Sequence, residues 1–211
     1  MTHLPDPPSR SELRQRGFTP VELPAGTPLW RVHMAQGSHA LPWDEPRRYG
    51  PVDRFDPHPP TPQVHAGVGV LYTATTLVTC LAEVFQATRV INRTHLRPTA
   101  TSWLTTRDLT LVDLQGQAAL RLGAAESING TARRSQTQAW ARALVDAFPA
   151  VDGFWHRSAM DGGHCACLVV GSQADATTAL PAHPDFSRPL DEVAMGDAAA
   201  QAAGLIGYDV V

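Results

Sequence analysis

Gly67-Val68-Gly69-Val70-Leu71-Tyr72, then Thr73-Ala74-Thr75, then Thr76 to Thr88 with Leu77, Leu81, Val84 and Phe85 at helical spacing, is the stretch that sets the fold class. It reads as a buried strand passing through a link of small residues into an amphipathic helix. Upstream, Trp30, Val32 and Met34 alternate with Arg31 and His33, the pattern of a half-buried strand with an apolar face and a face presenting Arg and His. Between these elements, Ala35 to Pro62 is rich in Pro, Asp and Arg and reads as a long loop, a length usually functional or disordered. Downstream, Ala100 to Thr105 and Leu109 to Leu114 read as strands, and Asn129-Gly130 as a turn. A helix is expected from Gln136 to Phe148, with Trp140, Leu144 and Phe148 on one stripe. Phe154 to Ser158 and Cys165 to Val170 read as strands around Met160-Asp161-Gly162-Gly163, a strong hairpin signal. Gly204 to Val211 suits a terminal strand, whereas residues 172–203, rich in Ala, Asp and Pro, define no element. Strands outnumber helices and alternate with them irregularly, so the expected fold class is α+β.

At 211 residues the chain has the size of one domain, and 43% hydrophobic against 18% charged residues suffices for a real core. Residues 1–27, with Pro5, Pro7, Pro8, Pro20 and Pro24, read as an extended N-terminal arm outside that core, leaving residues 28–211 as a single domain. The net charge of -3 argues against direct nucleic-acid binding through phosphates. All 17 basic residues are Arg, and the absence of Lys excludes a Lys-tipped phosphate loop, a kinase-type ATP anchor and Schiff-base chemistry. Any bound anion must be held by Arg or by backbone N–H groups. Cys80, Cys165 and Cys167 form neither an even set nor a Cys-x-x-Cys pair, which suits a reducing interior. The longest apolar runs, Val68–Tyr72 and Cys165–Val170, are far too short to cross a bilayer, and the first residues lack a secretory apolar region. The expectation is a soluble, cytoplasmic protein without membrane contact.

The nine histidines include no His-Glu-x-x-His and no i,i+4 pair on an expected helix, so no metal is expected. Glu83 lies about 160° around its helix from the Leu77/Leu81/Phe85 stripe, which makes it either a solvated carboxylate or the wall of a cleft. The neighbouring strand end at Tyr72 favours the cleft. Ser135-Gln136-Thr137-Gln138 matches a capping box opening the Trp140 helix, and a helix N-terminus also offers N–H groups to a polar ligand. Arg31 sits in an otherwise apolar strand, and Arg54-Phe55-Asp56-Pro57 lies in the long loop, where ligand contacts concentrate.

Leu29-Trp30-Arg31-Val32, Arg54-Phe55-Asp56-Pro57, Leu71-Tyr72-Thr73-Ala74 with Leu81-Ala82-Glu83-Val84, and Ser135 ahead of Gln138-Ala139-Trp140 together resemble the RES-domain family over roughly residues 28–171. The family is named for an Arg, a Glu and a Ser in that order, which the resemblance assigns to Arg31, Glu83 and Ser135. Ser158 is the rival for the last position. The chain departs from the family at Asp53-Arg54-Phe55-Asp56, where Gly-Arg-Trp-Asn is frequent. The resemblance implies a mixed or antiparallel sheet core with flanking helices, similar to ADP-ribosyltransferase toxins. It also implies an enzyme that consumes NAD, releasing nicotinamide by hydrolysis or phosphorolysis. In that scheme Glu83 stabilises the cationic ribosyl centre, Arg31 and Arg54 clamp the pyrophosphate, Tyr72 stacks on nicotinamide, and Ser135 fixes Glu83 or a ribose hydroxyl. NAD is then substrate, with no further cofactor. Many members are toxins whose active site is covered by a helix-turn-helix antitoxin. ADP-ribosylation of a macromolecule and a non-catalytic nucleotide-binding module are the alternatives, a ribonuclease toxin a distant one, and the oligomeric state, a homodimer included, is open.

Overall fold

The computed structural model describes residues 4–171, 173 and 175–211. In chain order its elements are α1 (Arg10–Arg16), β1 (Pro20–Leu23), β2 (Pro28–Met34), β3 (Tyr49–Gly50), β4 (Gln63–Val64), β5 (Gly69–Ala74), α2 (Leu77–Val84), β6 (Val90–Ile91), β7 (Pro98–Leu104) and β8 (Leu109–Asp113). They continue with α3 (Gly116–Leu122), α4 (Arg134–Ala147), β9 (Gly153–Arg157), β10 (His164–Val170), β11 (Phe186–Pro189), α5 (Gly196–Ile206) and β12 (Asp209–Val210). Eight strands form one sheet in the order β1-β8-β9-β10-β5-β2-β7-β11. Its pairings are antiparallel except β8 with β9, so the sheet is mixed and the fold is α+β.

Strand alternation divides the core into layers. On one face, Val70, Val112, Phe154, Cys167 and Val169 pack with Leu13 of α1, Ala119 and Leu122 of α3, and Trp140 and Leu144 of α4. Beside this cluster, Val32, Ala74, Ala100 and Cys165 pack under Cys80 and Leu81 of α2 and Ala199, Ala202 and Ala203 of α5. The intervening residues Leu29, Leu71, Trp103, Leu111 and Leu168 pack on the opposite face, closed by Ala176 and Ala179 and by Trp43 from the long loop. The sheet has one thin seam. Strand β2 runs with β7 through seven consecutive pairs, Pro28↔Leu104 to Met34↔Pro98, but meets β5 at Trp30↔Ala74 alone. Farther along β5, the edge position opposite Val70 is taken by Arg47.

Residues 4–27 differ from the expected arm. Leu4 and Leu13 are almost fully buried in the α4 cluster, Ser9 caps α1 in a capping box with Glu12, and β1 forms the edge of the main sheet. Each of these pieces nevertheless contributes an apolar residue, Leu4, Leu13 or Leu23, to the buried interior. The terminal strand is also shorter than Gly204–Val211, because α5 runs to Ile206 and only Asp209–Val210 is extended, parallel to β6. Within residues 172–203, the structure places β11 and the start of α5; positions 172 and 174 of that stretch lie outside the described residues.

Candidate active site

Helix α2 begins where Thr76 accepts a hydrogen bond from the Thr79 amide, so the chain leaves β5 and turns into the helix within two residues. That turn carries Glu83 into a half-buried position rather than into bulk solvent. The carboxylate is met by Ser158, at the end of β9, whose hydroxyl donates to Glu83 Oε1 at 2.6 Å. The same Ser158 Oγ accepts from the Met160 and Asp161 amides at 3.1 and 3.3 Å. With its lone pairs facing two N–H donors, the single hydroxyl proton points at Glu83, so Ser158 fixes the direction of the carboxylate. The hairpin holding Ser158 is in turn tied to α2, because Asp161 accepts from the Thr79 hydroxyl at 2.8 Å and from the Gly163 amide at 3.0 Å.

Arg54 and Tyr72 complete this cluster. The Arg54 guanidinium donates to the Gly130 carbonyl at 2.8 Å and, more weakly, to those of Ile128 and Ala132. Burial lowers its pKa, opposed by the negative charge of Glu83, so it remains a cation facing that carboxylate. Tyr72 has its hydroxyl fixed at both ends, donating to Asp56 and accepting from the Phe55 amide, each at 3.0 Å. Burial holds this phenol protonated far above its ordinary range. Nearby, His156 is buried against the Phe55 ring at 4.6 Å, and burial, with a lesser push from Arg54, lowers its pKa to about 4.

Arg31 stands on the other side of the seam. By alternation it shares the face of Leu29, and its guanidinium donates to the Trp43 and Glu45 carbonyls at 2.7 and 3.2 Å. Its pKa is pulled down to about 10, by burial first and then by the Arg47 charge. Glu83 is not among its hydrogen-bond partners; Cys80 lies within the field of both charges. An open cavity of about 540 Å³ adjoins the same loop, lined by Asp44, Glu45, Arg48, Thr177 and Leu180 among others.

The capping box at Ser135 does not form. Helix α4 starts at Arg134, with Arg133 as N-cap and no side-chain cap, so Ser135 is an exposed residue of the first turn. Gln138, instead of reaching back, is buried and donates to the Asp53 carbonyl at 3.0 Å. A tertiary bond to the loop has taken the amide that the local motif would use. The serine brought to Glu83 is Ser158, and the spacing Ser158-x-x-Asp161-Gly-Gly163 across the hairpin was the signal available for it.

Among the described residues no group of three or more His, Cys, Asp or Glu gathers as a metal site, the three cysteines are free and buried, and no helix is long and apolar enough to cross a membrane. A family model described as the RES domain matches residues 28–191. Among solved structures, the chain is similar to the crystal structure of the M. tuberculosis MbcT-MbcA toxin-antitoxin complex, at a TM-score of 0.58 and 17% identity, covering 94% of this chain and 96% of that one. No curated protein matches it.

Proposed function

Since the chain belongs to the RES-domain family, we propose that it is an NAD-consuming enzyme that cleaves the nicotinamide–ribose bond. The observation that carries this reading is the Ser158–Glu83 hydrogen bond at 2.6 Å, beside the Arg54 cation and the Tyr72 ring. Nicotinamide leaves a cationic nucleotide as a neutral base, so the leaving group needs little acid assistance. The barrier lies in the positive charge that develops on the ribose, an oxocarbenium-like state. Glu83 answers that charge: Ser158 occupies Oε1 and sets the plane of the carboxylate, while Oε2, which accepts only a long 3.4 Å bond from Gln86, turns to a ribose hydroxyl or the anomeric centre. The Tyr72 hydroxyl is committed to the protein, so this residue offers the nicotinamide its ring alone. Arg54 and Arg31 are the cations for the pyrophosphate, Arg31 by exchanging its carbonyl partners for phosphate oxygens. NAD serves as substrate, and the scheme uses no separate cofactor.

The neighbour is a toxin–antitoxin complex, which supports a partner protein here too; the proposal extends to a cytoplasmic toxin whose partner covers this site. Mass spectrometry of NAD incubated with the purified protein, with and without phosphate, separates the acceptors. Free ADP-ribose indicates water, its phosphorylated form indicates phosphate, and a labelled macromolecule indicates transfer. Glu83→Gln, folded as judged by circular dichroism, lowers turnover on the order of a thousandfold. Intact NAD after long incubation with folded, partner-free protein rejects the proposal.

A further inference from the structure

Asp56 is fully enclosed, and its carboxylate is surrounded by donors. Arg47 grips it with both Nη atoms at 2.9 Å, the Val52 and Asp53 amides donate to Oδ2 at 2.6 and 3.0 Å, and the Tyr72 hydroxyl donates to Oδ1 at 3.0 Å. Five donors converging on two oxygens require a carboxylate: an Asn at this place would turn its own N–H₂ toward the Arg47 fork or the phenol. The ion pair is closed in, with the Arg47 side chain 22% exposed and the Asp56 side chain not at all. Burial by itself would raise the Asp56 pKa, yet the Arg47 hydrogen bonds and charge, with the two amides, hold it below the ordinary carboxylate range.

The same carboxylate governs two parts of the candidate site. Through Val52 and Asp53 it closes the short loop that carries Arg54, a loop also docked on α4 by Gln138. Through the phenol it holds the Tyr72 ring, and the Phe55 amide locks that phenol to the chain beside Arg54. We infer that Asp56, gripped by an Arg47 that also pairs with Asp53 at 2.8 Å, is a positioning residue that sets Arg54 and Tyr72 together against Glu83. Its kinetic consequence rests on the NAD reading above, whereas its geometry does not.

Two measurements on the full chain test this. In NAD turnover, Asp56→Asn raises KM about tenfold and lowers kcat as well, since misplacing binding groups by about 1 Å can cost a hundredfold. Arg47→Lys, which keeps the charge but loses the fork, moves both constants in the same direction and less far. The double variant Asp56→Asn with Arg47→Gln removes both charges and is more active than the product of the Asp56→Asn and Arg47→Gln single effects, each measured alongside. In ¹⁹F NMR of protein labelled with 3-fluorotyrosine, the Tyr72 resonance, assigned by its loss in Tyr72→Phe, shifts or broadens in Asp56→Asn while the protein stays folded. Variants with lowered melting temperature but wild-type KM and kcat, or an unaltered Tyr72 resonance, overturn the inference. Should Asp56→Asn fail to fold, Arg47→Lys and the double variant carry both measurements. If the wild type leaves NAD intact, the functional proposal fails alone and the ¹⁹F measurement decides the role of Asp56.

Discussion

Ser158 and Ser135 show how a residue-scale assignment turns on context that lies far along the chain. Ser135 had a local argument, since Gln138 follows at the spacing of a capping box. Ser158 had only the Asp161-Gly-Gly163 turn beside it, and its role shows once β9 and β10 form a hairpin laid against α2, 75 residues away in sequence from its Glu83 partner. Glu83 itself was legible, because a carboxylate opposite the buried stripe of a helix that follows a buried strand must face either solvent or a cleft. The two serines now make opposite predictions. Ser158→Ala lowers NAD turnover roughly tenfold to a hundredfold, the scale of one lost orienting bond in a preorganised site, whereas Ser135→Ala leaves it close to wild type. Initial-rate measurements on the two variants check this directly, and equal losses would contradict the site drawn here.

At the scale of elements, periodicity identified those whose side chains alternate clearly. β2, β5, β7, β8, α2, α4 and the β9–β10 hairpin lie within a few residues of their expected places. Helix α3 and helix α5 were missed because Gly116 opens one and Ala fills much of the other, where it favours a helix but gives little contrast between a buried and an exposed face. Gly153 belongs to this scale too. It opens β9 at φ +154°, and a Cβ there would lie 2.1 Å from the Cys167 carbonyl oxygen of β10. Because β9 is wedged between parallel β8 and antiparallel β10, it cannot move away from one neighbour without leaving the other. Gly153→Ala therefore destabilises the protein by about 3 kcal/mol, measured as a shift in the urea midpoint. A midpoint within error of wild type would show that the hairpin yields more easily than its geometry implies.

Across the whole molecule, the N-terminal segment is a structural part and not an appendage. Leu13 is completely buried with Trp140 and Leu144, Gln136 donates to the Leu4 carbonyl, and the Trp140 indole donates to the Pro5 carbonyl at 2.8 Å. Proline-rich composition suggested otherwise, because composition reports chain stiffness but not what two isolated leucines will find to pack on. Leu13→Ala leaves a cavity beneath α4 and costs about 3 kcal/mol, read from equilibrium denaturation; a loss below about 1 kcal/mol would return the segment to a peripheral role.

This arrangement also governs the order in which a nascent polypeptide can be completed. Residues 4–23 are synthesised well before their partners: β1 waits for β8, and Leu4 waits for a helix that ends at Ala147. Such distant pairings are slow to form. A ribosome stalled before that helix has cleared the exit tunnel can let β1 pair with β8, yet Leu4 and Pro5 still lack the Gln136 and Trp140 side chains that hold them.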